Sequence, residues 1–297
     1  MKPLNESWMV LIEITNHCWK NCLYCSRFSK HIRKDQRFHM PLEQIEQSIK
    51  SYEGFPRFIG IIGGEPTLHP QFKQVCELLL DYYPPSKYSL LTTGGKAYER
   101  HLPTIKKTFH GFVSYNEHSE EQNKVCKHQP STLAIDDVVK DEVIKKNLID
   151  NCWVQLYWCP TIGVKGAFFC EVAYALDTIL DGPGGYDIEP GWWKKDPKDF
   201  QDQVERYCGR CGMPVPCERQ VVGSKKELIS KGNYDLYKKL KLPCMSDKDV
   251  ELFDEVFTEE EIKKSVLKWD PRHYRQDQCG DGTLYHYEKG GGFKSDI

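Results

Sequence analysis

Short apolar runs alternate with helical periods through the first half of the chain. Residues 8–14 (WMVLIEI) form a continuous apolar run of strand length and predict a buried strand. After Pro41, the residues Leu42, Ile45, Ile49 and Tyr52 fall on one helical face, and Gly54 and Pro56 end that helix. Residues 58–62 (FIGII) predict a second strand, closed by Gly63-Gly64. Phe72, Val75, Cys76 and Leu79 recur at i, i+3, i+4 and i+7, an amphipathic helix stopped by Pro84-Pro85. Cys76 shares that apolar face and reads as core. The pattern continues with a strand over 88–93, a helix over 97–108, a strand over 112–115, a helix over 135–149 and a fifth strand over 153–157. Strands alternating with crossover helices predict an α/β fold with a parallel sheet and helices outside. Five or six such units suit a partial (β/α)6 TIM-like barrel, in which chemistry sits beyond the carboxyl ends of the strands.

Composition narrows the class. The 297 residues suffice for one large domain, or for one of about 200 residues with an appendage. Lys plus Arg number 41 against 43 Asp plus Glu, so the net charge of −2 gives no electrostatic case for nucleic acid. No stretch approaches the length of a membrane-spanning apolar segment, and the N-terminus lacks a signal-peptide core, which predicts a cytoplasmic protein with no membrane partner. Thirteen cysteines, an odd number in a reducing setting, point to metal or redox chemistry rather than disulfides.

Residues 18–25 read CWKNCLYC, placing Cys18, Cys22 and Cys25 in CxxxCxxC spacing just after the first strand. Three thiolates can hold three irons of a [4Fe–4S] cluster and leave the fourth open. Clusters kept for structure or electron transfer usually take four cysteines. An open iron is where a small molecule can bind and be reduced. The same residues also fit three-quarters of a zinc site completed by His17 or His31, or three reduced core thiols.

The motif resembles that of the radical S-adenosylmethionine (SAM) superfamily. The resemblance implies that the open iron chelates the amino and carboxylate groups of SAM. It also implies that an electron from the cluster splits SAM into methionine and a 5′-deoxyadenosyl radical. Tyr24, the aromatic residue before the third cysteine, would lie near the adenine. Gly63-Gly64-Glu65, directly after the second strand, resembles the family's GGE motif, whose backbone and carboxylate meet the SAM amino group. Thr92-Thr93-Gly94-Gly95 resembles the family's Thr-Asn-Gly turn, with Thr93 in place of Asn. Ser114 and Asn116 stand where the family often places ribose or carboxylate contacts.

A second cysteine set follows. Cys159 and Cys170 flank two β-rich arms around Gly163-Val164-Lys165-Gly166, a hairpin pattern, and Val172, Ala175, Leu176 and Ile179 then give a short helix. Cys208, Cys211 and Cys217 form a compact knuckle. By spacing alone a CxxC with two distant cysteines fits zinc or an iron–sulfur cluster. The order of barrel, cysteine hairpin and CxxC resembles the twitch or SPASM extensions of radical SAM enzymes, which carry auxiliary [4Fe–4S] clusters. Val221 stands where a full SPASM pattern has its next cysteine, so one auxiliary cluster is expected, on Cys159, Cys170, Cys208 and Cys211, with Cys217 able to replace one of them. Cys217 and Cys244 are also candidates to donate a hydrogen atom to a substrate radical. The loop from Asp181 to Trp193 is either a cover for the site or a surface loop with packed aromatics. Residues 225–297 read as helices, one over 248–268, and a mobile polar tail.

These expectations divide the chain into a radical SAM core over 1–157, an auxiliary-cluster region over 158–220, and a helical segment with a tail over 221–297. The first strand starts near Met1, leaving no room for a leader-peptide recognition domain, which favours a small substrate such as a sugar or aminocyclitol. Two fates of the substrate radical suit one auxiliary cluster: oxidation and epimerisation. A reducing partner such as flavodoxin or ferredoxin is implied. The alternatives are a peptide-modifying maturase and a non-catalytic iron–sulfur or zinc protein.

Overall fold

The computed structural model describes residues 1–115, 127–157, 160–217, 220–221, 226–268, 284–287 and 293–295. Strands β1 (Met9–Thr15), β2 (Phe58–Gly63), β3 (Tyr88–Thr92) and β4 (Phe112–Tyr115) pair in parallel in that spatial order. Helices α1 (Leu42–Ser51), α2 (Phe72–Tyr82) and α3 (Lys96–Thr108) make the crossovers. All seven residues of β1 are buried, as expected of a central strand covered on both faces. Val10, Ile12 and Ile14 point to the helices and join the main apolar core, with Phe72, Val75, Cys76 and Leu79 of α2 against them. Met9 and Leu11 point the other way and meet Ile62 and Phe112 in a smaller cluster on the inner face. Strand alternation then puts Glu13 and Ser114 on that inner face, nearer the carboxyl ends.

Beyond β4 the chain runs through β5 (Lys127–His128) and helices α4 (Ile135–Val138), α5 (Glu142–Asp150) and α6 (Trp153–Tyr157). The helix expected over 135–149 is therefore two. Asp141 starts α5 by accepting hydrogen bonds from the Val143 and Ile144 N–H groups, each at 2.9 Å. The expected fifth strand at 153–157 is the helix α6. A five-residue apolar run does not distinguish strand from buried helix. Here Gln155 is tied to the Lys2 backbone and the Trp153 indole donates to the Met213 carbonyl.

The next parallel strand is β6 (Thr161–Gly163), on the open side of β1, and β7 (Gly166–Phe168) returns from it antiparallel, the expected hairpin. Helix α7 (Glu171–Ile179) and helix α8 (Gln201–Tyr207) follow. Trp192 and Trp193 pack on Tyr52 and Phe55 past the end of α1, and the Trp193 indole donates to the Ser51 carbonyl. That is the end of the sheet away from the carboxyl ends, so this loop is packed aromatic structure and not a cover.

A short β8 (Gln220–Val221) pairs with β5, and β9 (Glu227–Ser230) leads into α9 (Lys231–Lys239). β10 (Val250–Phe253) then lies parallel to β9 and precedes α10 (Glu259–Lys268), so the helix expected over 248–268 is a strand and a shorter helix. β11 (Leu284–Tyr287) and β12 (Phe293–Ser295) extend the edge of the main sheet beyond β4, and residues 290–292 of the expected tail lie outside the described residues. The main sheet thus reads β12-β11-β4-β3-β2-β1-β6-β7. Among the described residues no helix is long and apolar enough to cross a membrane.

Candidate functional site

The carboxyl ends of β1 to β4 open into one cleft, continuous with solvent. Cys18, Cys22 and Cys25 all face it, as do Gly63 and Gly64 after β2, Thr93 after β3 and Ser114 on β4. The shared period of the four βα units brings these segments to one end of the sheet.

The cysteine loop is pinned at its entrance. The Asn16 side chain donates to the Gln36 carbonyl at 2.8 Å and accepts from the Phe38 N–H at 2.9 Å. Arg37 donates to the Asn16 and Ser29 carbonyls, each at 2.7 Å. Within the loop Tyr24 and Phe28 adopt left-handed backbone conformations, at φ 56° and 51°. Such conformations cost about 1–3 kcal/mol each and persist where surrounding contacts over-determine them. The Lys20 N–H reaches Cys18 Sγ at 3.4 Å, a donor suited to a thiolate. Burial pushes the Cys18 thiol up to about 12 and raises Cys22 as well, with neighbouring thiols adding to the effect at both. Such thiols ionise only where a strong positive charge, such as bound metal, stabilises the thiolate.

Among the described residues no three His, Cys, Asp or Glu side chains converge as a single metal ion requires. A four-iron cluster instead takes each thiolate on a different iron, so its ligands stand farther apart than those of one zinc ion. The histidines of the zinc alternative are also committed elsewhere. His31 is buried and bonds Glu227, and His17 stacks on His39 with ring centroids 4.2 Å apart. The residues therefore fit a cluster better than zinc.

Gly63 and Gly64 have a structural reason for being glycine. A Cβ on Gly63 would lie 2.4 Å from the Thr15 carbonyl oxygen, and one on Gly64 2.5 Å from that of His17. This close approach lets the Gly64 and Glu65 N–H groups bond Thr15 and His17, each at 2.8 Å, and fixes the β2 end beside the cysteine loop. The Glu65 carboxylate is fully buried and does not line the cleft. It accepts from Thr67, from the Thr92 hydroxyl at 2.9 Å, and from the Thr93 N–H and hydroxyl at 2.7 and 3.0 Å. Glu65 thus ties the ends of β2 and β3 together. Tyr24 is likewise turned from the cleft: its ring is buried and its phenol oxygen accepts from the Leu228 N–H at 2.8 Å. Asn116 lies outside the described residues.

The inner wall of the cleft carries a charged group that sequence reasoning missed. Arg27 donates to Glu13 at 2.8 Å, lies 3.7 Å from a Glu171 carboxylate oxygen, and also bonds the Glu171 carbonyl. Arg27 and Glu171 line the cleft, and Glu171 Oε2 has no hydrogen-bond partner. Burial pushes the Glu13 carboxyl up to about 7 and raises Glu171 too, with Arg27 opposing both shifts. Their positions next to the cysteine motifs, two residues after Cys25 and one after Cys170, were the available signal.

A second set of thiols meets in an apolar hollow lined by Cys152, Cys170, Cys208 and Cys211. Cys152 directly precedes α6, and Cys170 occupies the N-cap of α7. Backbone N–H groups of Val154 and Gln155 stabilise a thiolate at Cys152, and those of Val172 and Ala173 do so at Cys170. Burial still pushes all four thiols up, Cys170 to about 12, and neighbouring thiols add to the rise at Cys170, Cys208 and Cys211. Four thiols around one apolar hollow, Cys170 and Cys211 buried and Cys152 and Cys208 half-buried, fit a cluster by the same reasoning as before. Cys159 lies outside the described residues, and Cys152 is unassigned by sequence because it belongs to no spaced cysteine motif.

Neither proposed hydrogen donor lines the cleft. Cys217 accepts from the Gln129 amide at 3.5 Å and packs beside the apolar cluster of Ile135 and Val215, while Cys244 sits in the turn after α9.

Residues 12–132 match the family model of the radical SAM superfamily. No curated protein matches the chain. Among solved structures, the crystal structure of BtrN in complex with AdoMet and 2-DOIA is similar at 14% identity and a TM-score of 0.43, covering 73% of this chain and 92% of that one. Selenomethionine BtrN in an open conformation is similar at 13% identity and a TM-score of 0.38, over 73% and 91% of the two chains.

Proposed function

The chain belongs to the radical SAM superfamily through its domain at residues 12–132, and from that premise we propose that it is a dehydrogenase of a hydroxylated small molecule, of sugar or aminocyclitol type. The observation that carries the reading is the single cleft shared by Cys18, Cys22, Cys25 and the carboxyl ends of four strands. Those cysteines would hold a [4Fe–4S] cluster, with the backbone of Gly63 and Gly64, Thr93 and Ser114 around SAM. When bound, the pair supplies a radical able to abstract hydrogen from an unactivated C–H bond.

The chain's own residues choose the substrate. Ser26, Ser29, Ser114, Thr92 and His128 give the cleft hydroxyl and imidazole groups, and Arg27 with Glu171 gives it a charged inner wall. Such a lining suits a polyhydroxylated or amino-bearing molecule and fixes its orientation. One observation favours oxidation over epimerisation. Among the described residues, the only cysteines facing the cleft are 18, 22 and 25. The hollow of Cys152, Cys170, Cys208 and Cys211 would hold an auxiliary cluster as acceptor for the second electron. The ten described cysteines are all free thiols, which supports a reducing cytoplasmic setting with a donor such as flavodoxin or ferredoxin.

Anaerobic reconstitution followed by SAM and dithionite tests the reading. The expected result is 5′-deoxyadenosine and, with candidate sugars and aminocyclitols in D2O, a ketone product. Deuterium at an inverted carbon would instead establish epimerisation, and turnover only on a peptide would establish a maturase. No 5′-deoxyadenosine, together with iron well below about four per chain, would sink the catalytic reading altogether.

A further inference from the structure

The loop bearing the first three cysteines is gripped from outside by β9. The Tyr24 N–H donates to Glu227 Oε1 at 2.5 Å, across 203 positions of sequence, and the Leu228 N–H donates to the Tyr24 phenol oxygen at 2.8 Å. Two adjacent residues of β9 therefore hold both polar ends of the one residue next to Cys25. The other Glu227 oxygen meets His31 Nε2 at 2.8 Å and Lys30 Nζ at 3.1 Å, and the His31 ring reaches the Pro243 carbonyl at 3.1 Å. Glu227 is 1% exposed, so these contacts replace water completely. Lys30 and His31, with the Tyr24 N–H, hold its carboxyl below the ordinary range against burial, which pushes it up.

The β9 end of this link is itself anchored. Ser230 accepts from the Ala134 N–H at 3.0 Å and donates to Asp137 at 2.6 Å, and Asp137 also accepts from the Gly232 N–H at 2.8 Å. Tyr24 has φ 56°, a conformation that a tyrosine keeps only under such restraint.

We infer that Glu227 is a positioning residue for the cysteine loop: it holds Tyr24 in its left-handed conformation, sets the placement of Cys22 and Cys25, and makes the segment 226–253 part of the radical-initiating site. The chemical consequence rests on the radical SAM reading; the mechanical one does not. Two measurements on wild type, E227A, E227Q and Y24F separate them. Amide hydrogen exchange of the cluster-free protein, on peptides spanning 18–31, reads the loop alone. The electron paramagnetic resonance signal of the reconstituted, reduced protein, with and without SAM, reads the cluster.

In E227A, exchange at 22–31 is expected to accelerate at least tenfold with the β1 to β4 peptides unchanged, and the SAM-induced change of signal is lost. Y24F keeps the N–H bond and shows a smaller acceleration. Wild-type exchange in E227A overturns the inference, as does loop acceleration with an unaltered SAM response. Where E227A loosens the whole chain, E227Q decides. Acceleration confined to the loop supports the role, while wild-type behaviour or uniform loosening overturns it. A wild-type protein without any SAM response defeats the functional reading and leaves the exchange test standing.

Discussion

Glu65 shows how a motif residue can serve a site without facing it. Its carboxylate receives only N–H and O–H donors, from Thr67, Thr92 and Thr93, and among the described residues no cation pairs with it. E65Q turns one acceptor oxygen into a donor that opposes the Thr92 or Thr93 donors. Losing hydrogen bonds to a charged group costs about 1.5–3 kcal/mol, so thermal unfolding should shift down by several degrees. The Kd for SAM should rise in parallel, because Thr92 and Thr93 are the parts of this knot that reach the cleft; unchanged calorimetric affinity would separate the two roles.

Glu13 makes a prediction of opposite character. Its carboxyl is raised from the ordinary 4.5 to about 7 in the folded chain, first by burial. Between those values the folded state binds more protons than the unfolded one, so this group's contribution is present at low pH and is lost as pH rises through about 7. At about 1.4 kcal/mol per unit, E13Q should flatten the fall in unfolding free energy between pH 5 and 7. An unchanged slope in denaturant titrations would show that another group carries it.

At the scale of elements, the βα units were legible because their cause is local. Phe72, Val75, Cys76 and Leu79 were placed on one buried face by period alone, and the structure buries all four. The misreadings fall where a short apolar run admits two states: residues 153–157 became α6 once Gln155 and Trp153 found partners distant in sequence. The join of β1 and β2 is the most demanding element contact near the site. In G64A the new Cβ would meet the His17 carbonyl at 2.5 Å, and backbone cannot yield as a side chain does. Overpacking of this kind costs about 1–3 kcal/mol. Iron bound at the first cluster is expected to drop more steeply than the melting temperature, measured on the same preparation.

Over the whole molecule, seven of the ten described thiols gather in two groups, and the second was only partly readable. Cys170, Cys208 and Cys211 were expected from the resemblance to auxiliary-cluster extensions, and Cys152 lines the same hollow because α5, α6 and α7 converge on it. If that hollow holds a four-iron cluster, C152S should lower iron from about eight to about four per chain while preserving the SAM-dependent signal of the first cluster. Loss of iron in C159S instead would return Cys159 to the set. What the sequence determined alone was whatever depends on near neighbours: CxxxCxxC as a three-thiol motif, the βα alternation, and the glycines of the β2 turn. Periodicity and spacing act within one or two turns of chain, so they are written there. Tertiary structure decided what depends on distant segments meeting: Glu65 as a buried tie, Arg27 and Glu171 as a wall, Cys152 beside the hollow of Cys170, Cys208 and Cys211, and Glu227 as the hold on Tyr24. No local pattern encodes those encounters, because each is set by how the packed elements bring their ends together.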